Sequence, residues 1–423
     1  MFDGVGPLRT RFRRDCCCLS DALWWCDAPA AAGVAAFALA PWIGGFLNVQ
    51  RVSRRAEPSA AEEGVQAAMF FHYITTNKEG RMSRRLGFIA VLVAGAVLLG
   101  LATPAAFAGA QKMTLSHNAS LESPWQKASL RFAEIVNAKA GGKYDVGVFG
   151  TGMLFQRNWQ VLLEMTQSGA NQIGIEAVSA LSTKVSELSA MSLPFLFSDM
   201  GHVIRFLDLN PPVWKKWLYD SFETKNLVVL AITPRPFRQL NNNKVLVKTP
   251  DDMKGLKFRV PGNPFFVKIF EALGAKPVPL PSGEIYTAIQ LGTVVGEDNS
   301  IPVQYDFKTH EVAKNFTVWN YIADGSILFM NKDAYYKLPE SDRALFKEAA
   351  KEWGAVNVKE DEAYTKVAIA AMEKAGVKFH QMTDAEKEPF RKLVQPVYAD
   401  FAKQAGDENW KAFLSAVEKT RKP

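Results

Sequence analysis

The fold is decided by residues 236–302, which contain PFRQLNNNK (236–244), DDMKGLKFRVPGNPFF (251–266) and PSGEIYTAIQLGTVVGEDNSIP (281–302). Short apolar segments in this stretch alternate with segments that carry helix starts and glycine stops. Such a strand–helix order is typical of parallel strands covered by helices. The predicted elements are a strand at 256–260, a helix at 264–273, an extended segment at 276–280 and a helix at 284–291.

The same alternation of strands and helices precedes this stretch, from residue 112 to residue 233. It predicts an α/β fold of mostly parallel sheets with helices on both faces, divided into two lobes. We interpret the Pro-Arg-Pro of residues 234–236 as the first crossing between the lobes and predict paired strands at 316–330 for the return. The longest helical pattern runs from 338 to 375, and at ~1.5 Å per residue its ~55 Å would lie across both lobes.

Composition and charge exclude some classes of protein. The 423 residues are 48% hydrophobic and 22% charged, which is ordinary for a globular protein. Residues 110–423 hold 39 basic and 35 acidic side chains, a net charge of +4 with the two signs interspersed. A nucleic-acid-binding protein would concentrate its basic residues in a stripe, so we expect no nucleic-acid partner.

The first 110 residues carry an export signal in an unusual place. Met82 is followed by two arginines, an apolar run at 86–101 and small residues suited to cleavage after Ala108 or Ala110, which is the pattern of a signal peptide. The alternative is an uncleaved membrane anchor. Residues 1–81 hold all four cysteines of the chain and show no clear periodicity. We interpret them as a disordered, non-native extension translated from upstream DNA; a folded or membrane-spanning segment is the alternative.

Two arginines and an asparagine form the strongest candidate site. Arg259 lies in a predicted strand whose neighbours are apolar, and Arg238 lies beside another strand. The planar guanidinium group holds a carboxylate through two parallel hydrogen bonds, so both residues are candidate carboxylate ligands. Asn299 closes the stretch after Glu297 and Asp298, and we interpret that acidic pair as part of a loop beside the pocket rather than a metal site.

The remaining candidate ligands come from the first lobe. Glu176 and Ser179 follow a short predicted strand, at the kind of sheet edge where open α/β proteins bind ligands. His117 ends the first predicted strand. We find no nucleotide-binding, serine-hydrolase or zinc-protease motif, and therefore expect neither an enzyme nor a cofactor nor a metal.

Several blocks of the sequence resemble, in order, the solute-binding proteins of tripartite ATP-independent periplasmic (TRAP) transporters, the DctP-like family. The resemblance covers nearly all of residues 112–415 and is specific as a series, although each block alone is weak. The blocks are FAEIVNAKAGGKYDVGVFGTGML, LPFLFSD, FRQLNNNK, MKGLKFRVPGNP, GEIYTAIQLGTVVGEDNS and NKDAYYKLPESDRALFKEAA.

The resemblance implies a two-lobed periplasmic-binding-protein architecture that closes around an organic acid and delivers it to TRAP permease subunits in the membrane. It also implies that Arg259 binds the ligand's carboxylate, with Arg238 and Asn299 beside it. The protein is expected to be a monomer. The predicted organisation is an extension at 1–81, a signal peptide at 82–110, lobe I at 111–235, lobe II at 236–323, a return with the spanning helix at 324–375 and C-terminal helices at 376–423.

Two other functions remain open from the residues alone. An ABC-type binding protein would share the architecture, and a neighbouring gene for an ATPase would favour it. A periplasmic enzyme acting on a carboxylate would use His117 or Glu176 as a base. We rank the enzyme last because no acid–base pair is visible in the sequence.

Overall fold

A computed structural model of the chain describes residues 109–421. The predicted extension at 1–81, and all but the last two residues of the predicted signal peptide at 82–110, lie outside the described residues. Within the described part, the strands are β1 (Gln111–Ser116), β2 (Tyr144–Phe149), β3 (Ile173–Ala177), β4 (Leu227–Asn242), β5 (Lys257–Val260), β6 (Lys276–Pro279), β7 (Gly296–Ser300), β8 (Asn315–Asn331) and β9 (Lys378–Gln381).

The helices alternate with the strands in the order that the sequence predicts. They are α1 (Pro124–Lys139), α2 (Trp159–Ser168), α3 (Val178–Leu181), α4 (Met200–Leu209), α5 (Pro212–Lys215), α6 (Ser221–Glu223), α7 (Pro264–Ala272), α8 (Ile285–Gln290), α9 (Ile301–Asp306), α10 (Thr309–Val312), α11 (Lys332–Lys337), α12 (Glu340–Lys374), α13 (Asp384–Leu393), α14 (Gln395–Ala405) and α15 (Asp407–Lys419).

The strands form one mixed sheet in the order β2-β1-β3-β8-β4-β7-β5-β6, with β9 beside β8. Each wing is built from parallel pairs: β2, β1 and β3 on one side, and β7, β5 and β6 on the other. The two long strands β4 and β8 pair antiparallel with each other and join the wings. The α/β class is thus confirmed, and the lobe boundaries that we drew on this continuous sheet stay predictions.

The predicted paired strands at 316–330 are wrong, because β8 is a single strand of 17 residues. Asp324 and Gly325 look like a turn in the sequence but lie inside the strand. A Cβ on Gly325 would come within 3.0 Å of Val178 and 3.2 Å of the Thr233 carbonyl, so this glycine permits close packing. β4 likewise runs through Pro234 and Pro236, where it has a strand partner on one side only and a missing N–H is tolerated.

The longest helix, α12, is unbroken over 35 residues, or ~52 Å, and packs against α1, β4 and α9. Its Gly354 lies over β4, where a Cβ would meet the Thr233 side chain at 3.1 Å. One turn later, Asn357 donates a hydrogen bond of 2.9 Å to the Thr233 hydroxyl. These contacts fix the helix on the crossing strand and bring the next turn, at Asp361, to the ligand cavity described below.

Candidate functional site

A cavity that is partly open to solvent lies where β1, β3, β5 and β7 end; its empty space, with the part open to solvent included, is about 780 Å³. The carboxyl ends of parallel strands are the usual ligand-binding edge of such sheets. Five of the six predicted ligand residues line this cavity. The lining polar and aromatic side chains are Asn118, Ser123, Trp125, Trp159, Glu176, Ser179, Arg235, Arg238, Arg259, Ser282, Asn299, Asp306, Phe307, Asp361 and Tyr364.

Arg259 presents the least satisfied guanidinium group of the site. Its side chain is 6% exposed, and its Nε donates a hydrogen bond of 2.9 Å to the Leu280 carbonyl. The nearest carboxylate oxygen, Glu297 Oε2, lies 3.7 Å from Nη1, beyond hydrogen-bond distance. Burial lowers the pKa of Arg259 to about 10, although the Glu297 carboxylate opposes this shift. Its terminal nitrogens therefore lack an acceptor among residues 109–421.

Glu297 and Asp298 lie in β7, so our interpretation of them as a loop is wrong. Both side chains are fully buried between β4 and β5. Because burial favours the neutral form, the pKa of Glu297 is raised to about 7 despite the nearby Arg259. Among the described residues, no group of His, Cys, Asp and Glu side chains is arranged to hold a metal ion.

Arg238, in contrast, is fully engaged by the protein. Its Nε and Nη2 bind the carboxylate and the carbonyl of Asp298, and its Nη1 lies 3.3 Å from Asn299 Oδ1 and 3.4 Å from Asp324 Oδ2. Burial acts to lower the pKa of Arg238, but the Asp298 carboxylate more than offsets this and raises it. The residue joins β4, β7 and β8 and leaves Arg259 as the freer of the two cations.

Asn299 and Ser179 are held in place around Arg238. Asn299 donates a hydrogen bond of 3.3 Å from Nδ2 to Glu297 Oε2. The Ser179 hydroxyl donates a hydrogen bond of 2.7 Å to Asp324, whose other oxygen accepts the Ser179 backbone N–H at 3.0 Å. These bonds fix the start of α3 on β8 at the floor of the cavity.

Glu176 ends β3 with its carboxylate in the cavity wall. Its oxygens accept hydrogen bonds from the Ala177 N–H at 2.8 Å and from Asn118 Nδ2 at 3.1 Å. Burial raises the pKa of Glu176 to about 7, and the Ala177 N–H and Arg235 partly counteract the shift. The side chain is thus a neutral or charged acceptor near pH 7.

His117 is the predicted ligand that the structure does not bring to the cavity. Its ring is fully buried, its Nε2 lies 2.9 Å from Gln126 Oε1, and it meets Trp125 edge-on at 6.3 Å between ring centroids. Burial lowers the pKa of His117 to about 4, so the imidazole is neutral at physiological pH. The histidine supports the cavity wall from behind, through Trp125.

Sequence reasoning missed three charged residues of the cavity, Arg235, Asp306 and Asp361. The Arg235 guanidinium lies 4.9 Å above the Trp125 ring and 3.4 Å from Asp324 Oδ2. Because Arg235 lies between two prolines, we predicted a break there rather than a strand. That prediction gave no indication that Arg235 faces the cavity. Asp361 is one acid among many on a charged helix, so the sequence contains no signal that distinguishes it.

Contacts between the two sides of the cavity bridge part of its rim. The Ser120 N–H donates a hydrogen bond of 2.9 Å to Asp306, and the Ser282 hydroxyl donates one of 3.3 Å to the Arg157 carbonyl. The Arg157 guanidinium also lies 5.2 Å above the Phe307 ring. These contacts join the loops after β1 and β2 to the segments before α8 and at the end of α9.

The buried Asp361 makes the stability of the protein depend on pH. Burial raises its pKa from 3.8 to about 7, with Arg235 opposing. The folded state therefore keeps a proton that the unfolded state releases. The stability associated with this proton is fully present below the unfolded pKa and is lost as pH rises through 7. We expect Asp361→Asn to gain stability relative to the native chain between pH 5 and pH 8, by at least about 1 kcal/mol.

Thermal or urea unfolding of both proteins across this pH range measures the difference directly. Contributions from the buried histidines are common to the two proteins and cancel. A difference in stability that stays constant from pH 5 to pH 8 would contradict the expectation. We expect Glu348→Gln, an exposed change on the same helix, to give a constant difference.

The fold and the cavity match known proteins. Residues 115–404 match the sequence profile of the bacterial extracellular solute-binding proteins of family 7. A solute-binding protein of Verminephrobacter eiseniae is 31% identical over 278 residues, which cover 65% of this chain and 80% of that protein. The C4-dicarboxylate-binding periplasmic protein DctP of Rhodobacter capsulatus is 28% identical over 332 residues, 78% of this chain and 97% of that protein.

Solved structures agree with these relatives. The sugar acid binding protein DctPAm of Advenella mimigardefordensis, in complex with galactonate, superimposes with a TM-score of 0.69 at 27% identity, covering 74% of this chain and 99% of that protein. A TRAP periplasmic solute-binding protein of Anaerococcus prevotii with bound glucuronate gives a TM-score of 0.69 at 26% identity, covering 73% and 98%. In the part of our chain that the structure describes, no helix is both long and apolar enough to cross a membrane. The chain therefore belongs to the family-7 bacterial extracellular solute-binding proteins, the binding proteins of TRAP transporters.

Proposed function

We propose that this protein captures an organic acid anion in the periplasm and delivers it to the permease subunits of a TRAP transporter. Residues 82–110 act as the export signal in this proposal. The observation that carries it is the state of Arg259: a buried guanidinium that faces the cavity with unpaired terminal nitrogens. A buried cation without hydrogen-bond partners is costly, so an anion that supplies two acceptors binds there favourably.

The carboxylate docks on Arg259, with Asn299 beside it, and Arg238 holds β7 in position from behind. We name these three residues the carboxylate clamp. Since Arg238 is already bound to Asp298, Arg259 supplies most of the direct attraction. Relatives in the family carry names or ligands of this class, namely C4-dicarboxylates, 2,3-diketo-L-gulonate, galactonate, glucuronate and succinate.

Ligand binding favours the closed form of the cleft. The rim contacts Ser120–Asp306 and Arg157–Phe307 form only while the two sides of the cavity are together. A ligand that contacts both sides shifts the equilibrium between open and closed forms by its difference in affinity for the two. The permease then meets a closed, loaded protein.

A thermal-shift screen of organic acids tests the proposal. A ligand present at 100 times its Kd stabilises the folded state by about 2.7 kcal/mol, so we expect at least one acid to raise the unfolding midpoint by about 5 °C or more. The matched alcohol or amide of that acid should give no shift. If no carboxylic acid in a broad set binds, or if the amide binds equally well, the carboxylate clamp is wrong. A gene for an ATPase beside this one, rather than for a two-part permease, would contradict the transporter assignment.

A further inference from the structure

The charged side chains in and beside the cavity form two regions with different charge balance. At the clamp, Arg238 and Arg259 face two carboxylates, Asp298 and Glu297. Among the described residues that line the cavity, the third cation is Arg235. We name this second region the acidic end: Arg235 with the two lining carboxylates Glu176 and Asp361, beside Asp324, which Arg235 shares with Arg238.

Arg235 is not free to bind a second anionic group. Its Nη1 lies 3.4 Å from Asp324, and its guanidinium stacks on Trp125. The ring is itself fixed, because the indole N–H donates a hydrogen bond of 2.7 Å to the Ser326 hydroxyl. The positive charge also interacts favourably with Glu176 and Asp361. Once Glu176 and Asp361 are ionised, above the pKa of about 7 that burial gives each of them, the acidic end carries more negative charge than Arg235 neutralises.

Asp361 has acceptor capacity that the protein does not use. Its side chain accepts a single long hydrogen bond, 3.4 Å from Asn357 Nδ2, among the residues that the structure describes. The residue is only 8% exposed and its exposed part faces the cavity. A carboxylate has about four acceptor positions, so most of those on Asp361 are open to a ligand that donates hydrogen bonds.

Glu176 adds a second acceptor to the lining of the cavity. Both of its oxygens already accept one hydrogen bond each, from Ala177 and from Asn118, and each oxygen has a second lone pair. Ser123 and Asn118, which line the same part of the cavity, can donate to or accept from a ligand hydroxyl. These groups suit hydroxyl groups and are unsuited to a carboxylate.

Resting on the proposed function, we propose that Glu176 and Asp361 accept hydrogen bonds from hydroxyl groups of the ligand and reject a second carboxylate. The preferred ligand is then a polyhydroxylated monocarboxylic acid, bound by its one carboxylate at Arg259, and not a dicarboxylic acid. Asp361 and Glu176 are the residues that set this preference. A second carboxylate would lie next to like charges in a largely buried cavity, and this repulsion weakens its binding.

Matched pairs of ligands test the inference. Galactonate and galactarate share their carbon chain and the hydroxyls at C2–C5 and differ at one terminus, where a CH2OH group is replaced by a carboxylate; gluconate and glucarate form a second pair. Calorimetry at pH 8 keeps both protein carboxyls largely ionised. We expect the native protein to bind the monoacid of at least one pair about 30-fold more tightly than its diacid.

The variants Asp361→Asn and Glu176→Gln remove one negative charge each at nearly constant shape. Each variant should bind the monoacid more weakly than the native protein does. The ratio of the diacid Kd to the monoacid Kd should also fall by about 10-fold or more, because a charge that repels the second carboxylate is removed. Glu348→Gln, exposed on the outer face of α12, should leave the preference unchanged. Unfolding midpoints identify any variant that does not fold. The preference of the native protein for the monoacid is measured without any variant, so it tests the inference even if both variants fail to fold.

The outcomes separate this inference from the proposed function. If the native protein prefers the diacid of both pairs while Arg259→Ala abolishes its binding, the inference is wrong and the clamp stands. If Asp361→Asn and Glu176→Gln both keep the full preference, the acidic end does not set it and the inference is likewise overturned. If Arg259→Ala binds as tightly as the native protein, the clamp itself fails. If none of the four acids binds, the inference is overturned, and the proposed function fails with it only if no acid of the broad thermal-shift screen binds either.

Discussion

Replacing Arg259 by alanine is expected to abolish useful ligand binding. The change leaves the ligand's carboxylate in a buried cavity without its charged partner, and it removes from Glu297 the cation that acts on it most strongly. We expect a loss of about 3 kcal/mol or more, which corresponds to a rise in Kd of roughly 150-fold. Calorimetric titration of the acid found by the thermal-shift screen gives this number.

Two further variants interpret the result. Arg259→Lys keeps the charge but loses the fork of two parallel donors, so an intermediate Kd is expected. Arg131→Ala removes a half-exposed arginine of α1, paired with Glu134, and should change neither affinity nor stability by more than about 0.5 kcal/mol. Unchanged affinity in a folded Arg259→Ala protein would refute its role in the clamp.

The largest effect on stability is expected from Gly296→Ala, at the start of β7. A Cβ at this position would overlap the backbone oxygen of Asn241 and lie 2.6 Å from the Cα of Asn242, both on β4. Backbone atoms cannot move aside as a flexible side chain does, so β7 must shift away from β4. We expect a loss of about 3 kcal/mol or more in the free energy of unfolding.

The shift also reaches the ligand site, because β7 carries Asp298 and Asn299. A displaced Asp298 loosens Arg238, and we therefore expect weaker ligand binding even where Gly296→Ala still folds. Urea unfolding and calorimetry measure the two effects. Gly262→Ala is the matched control, since no atom lies within 4 Å of a Cβ at that position and its φ is not positive. Equal stability of the two variants would show that β7 does not pack as described.

Local patterns predicted the parallel wings of the sheet well, because each strand and helix there is a separate segment with its own start and stop. The side chain of Ser123, for example, accepts the Gln126 N–H at the start of α1, and Thr383 with Glu386 forms the capping box of α13. The long strands were harder to predict. Turn-forming residues at 234–236 and 324–325 are used inside strands, where ion pairs and close packing replace their usual role.

The clamp residues were recognisable because a charged side chain in an apolar strand requires a partner. Arg259 satisfies that condition in the sequence itself. His117 satisfies it only superficially: a buried histidine at a strand end is equally well explained by a hydrogen bond inside the wall, here to Gln126. Whether Asp361 reaches the cavity depends on which face of α12 meets it. A helix that carries charges on many faces does not reveal that face in its sequence.

The way the cavity is assembled from distant parts of the chain also affects when it can form. Asn118 and Asp361 line the same space although α12 follows every strand of the sheet except β9. The ion pair between Arg235 and Asp324 closes a loop of 89 residues, and pairings at such separations form slowly. On the proposed export route, a chain whose α12 has not yet crossed the membrane lacks Asp361 in its folded part, so the cavity is completed only near the end of translocation.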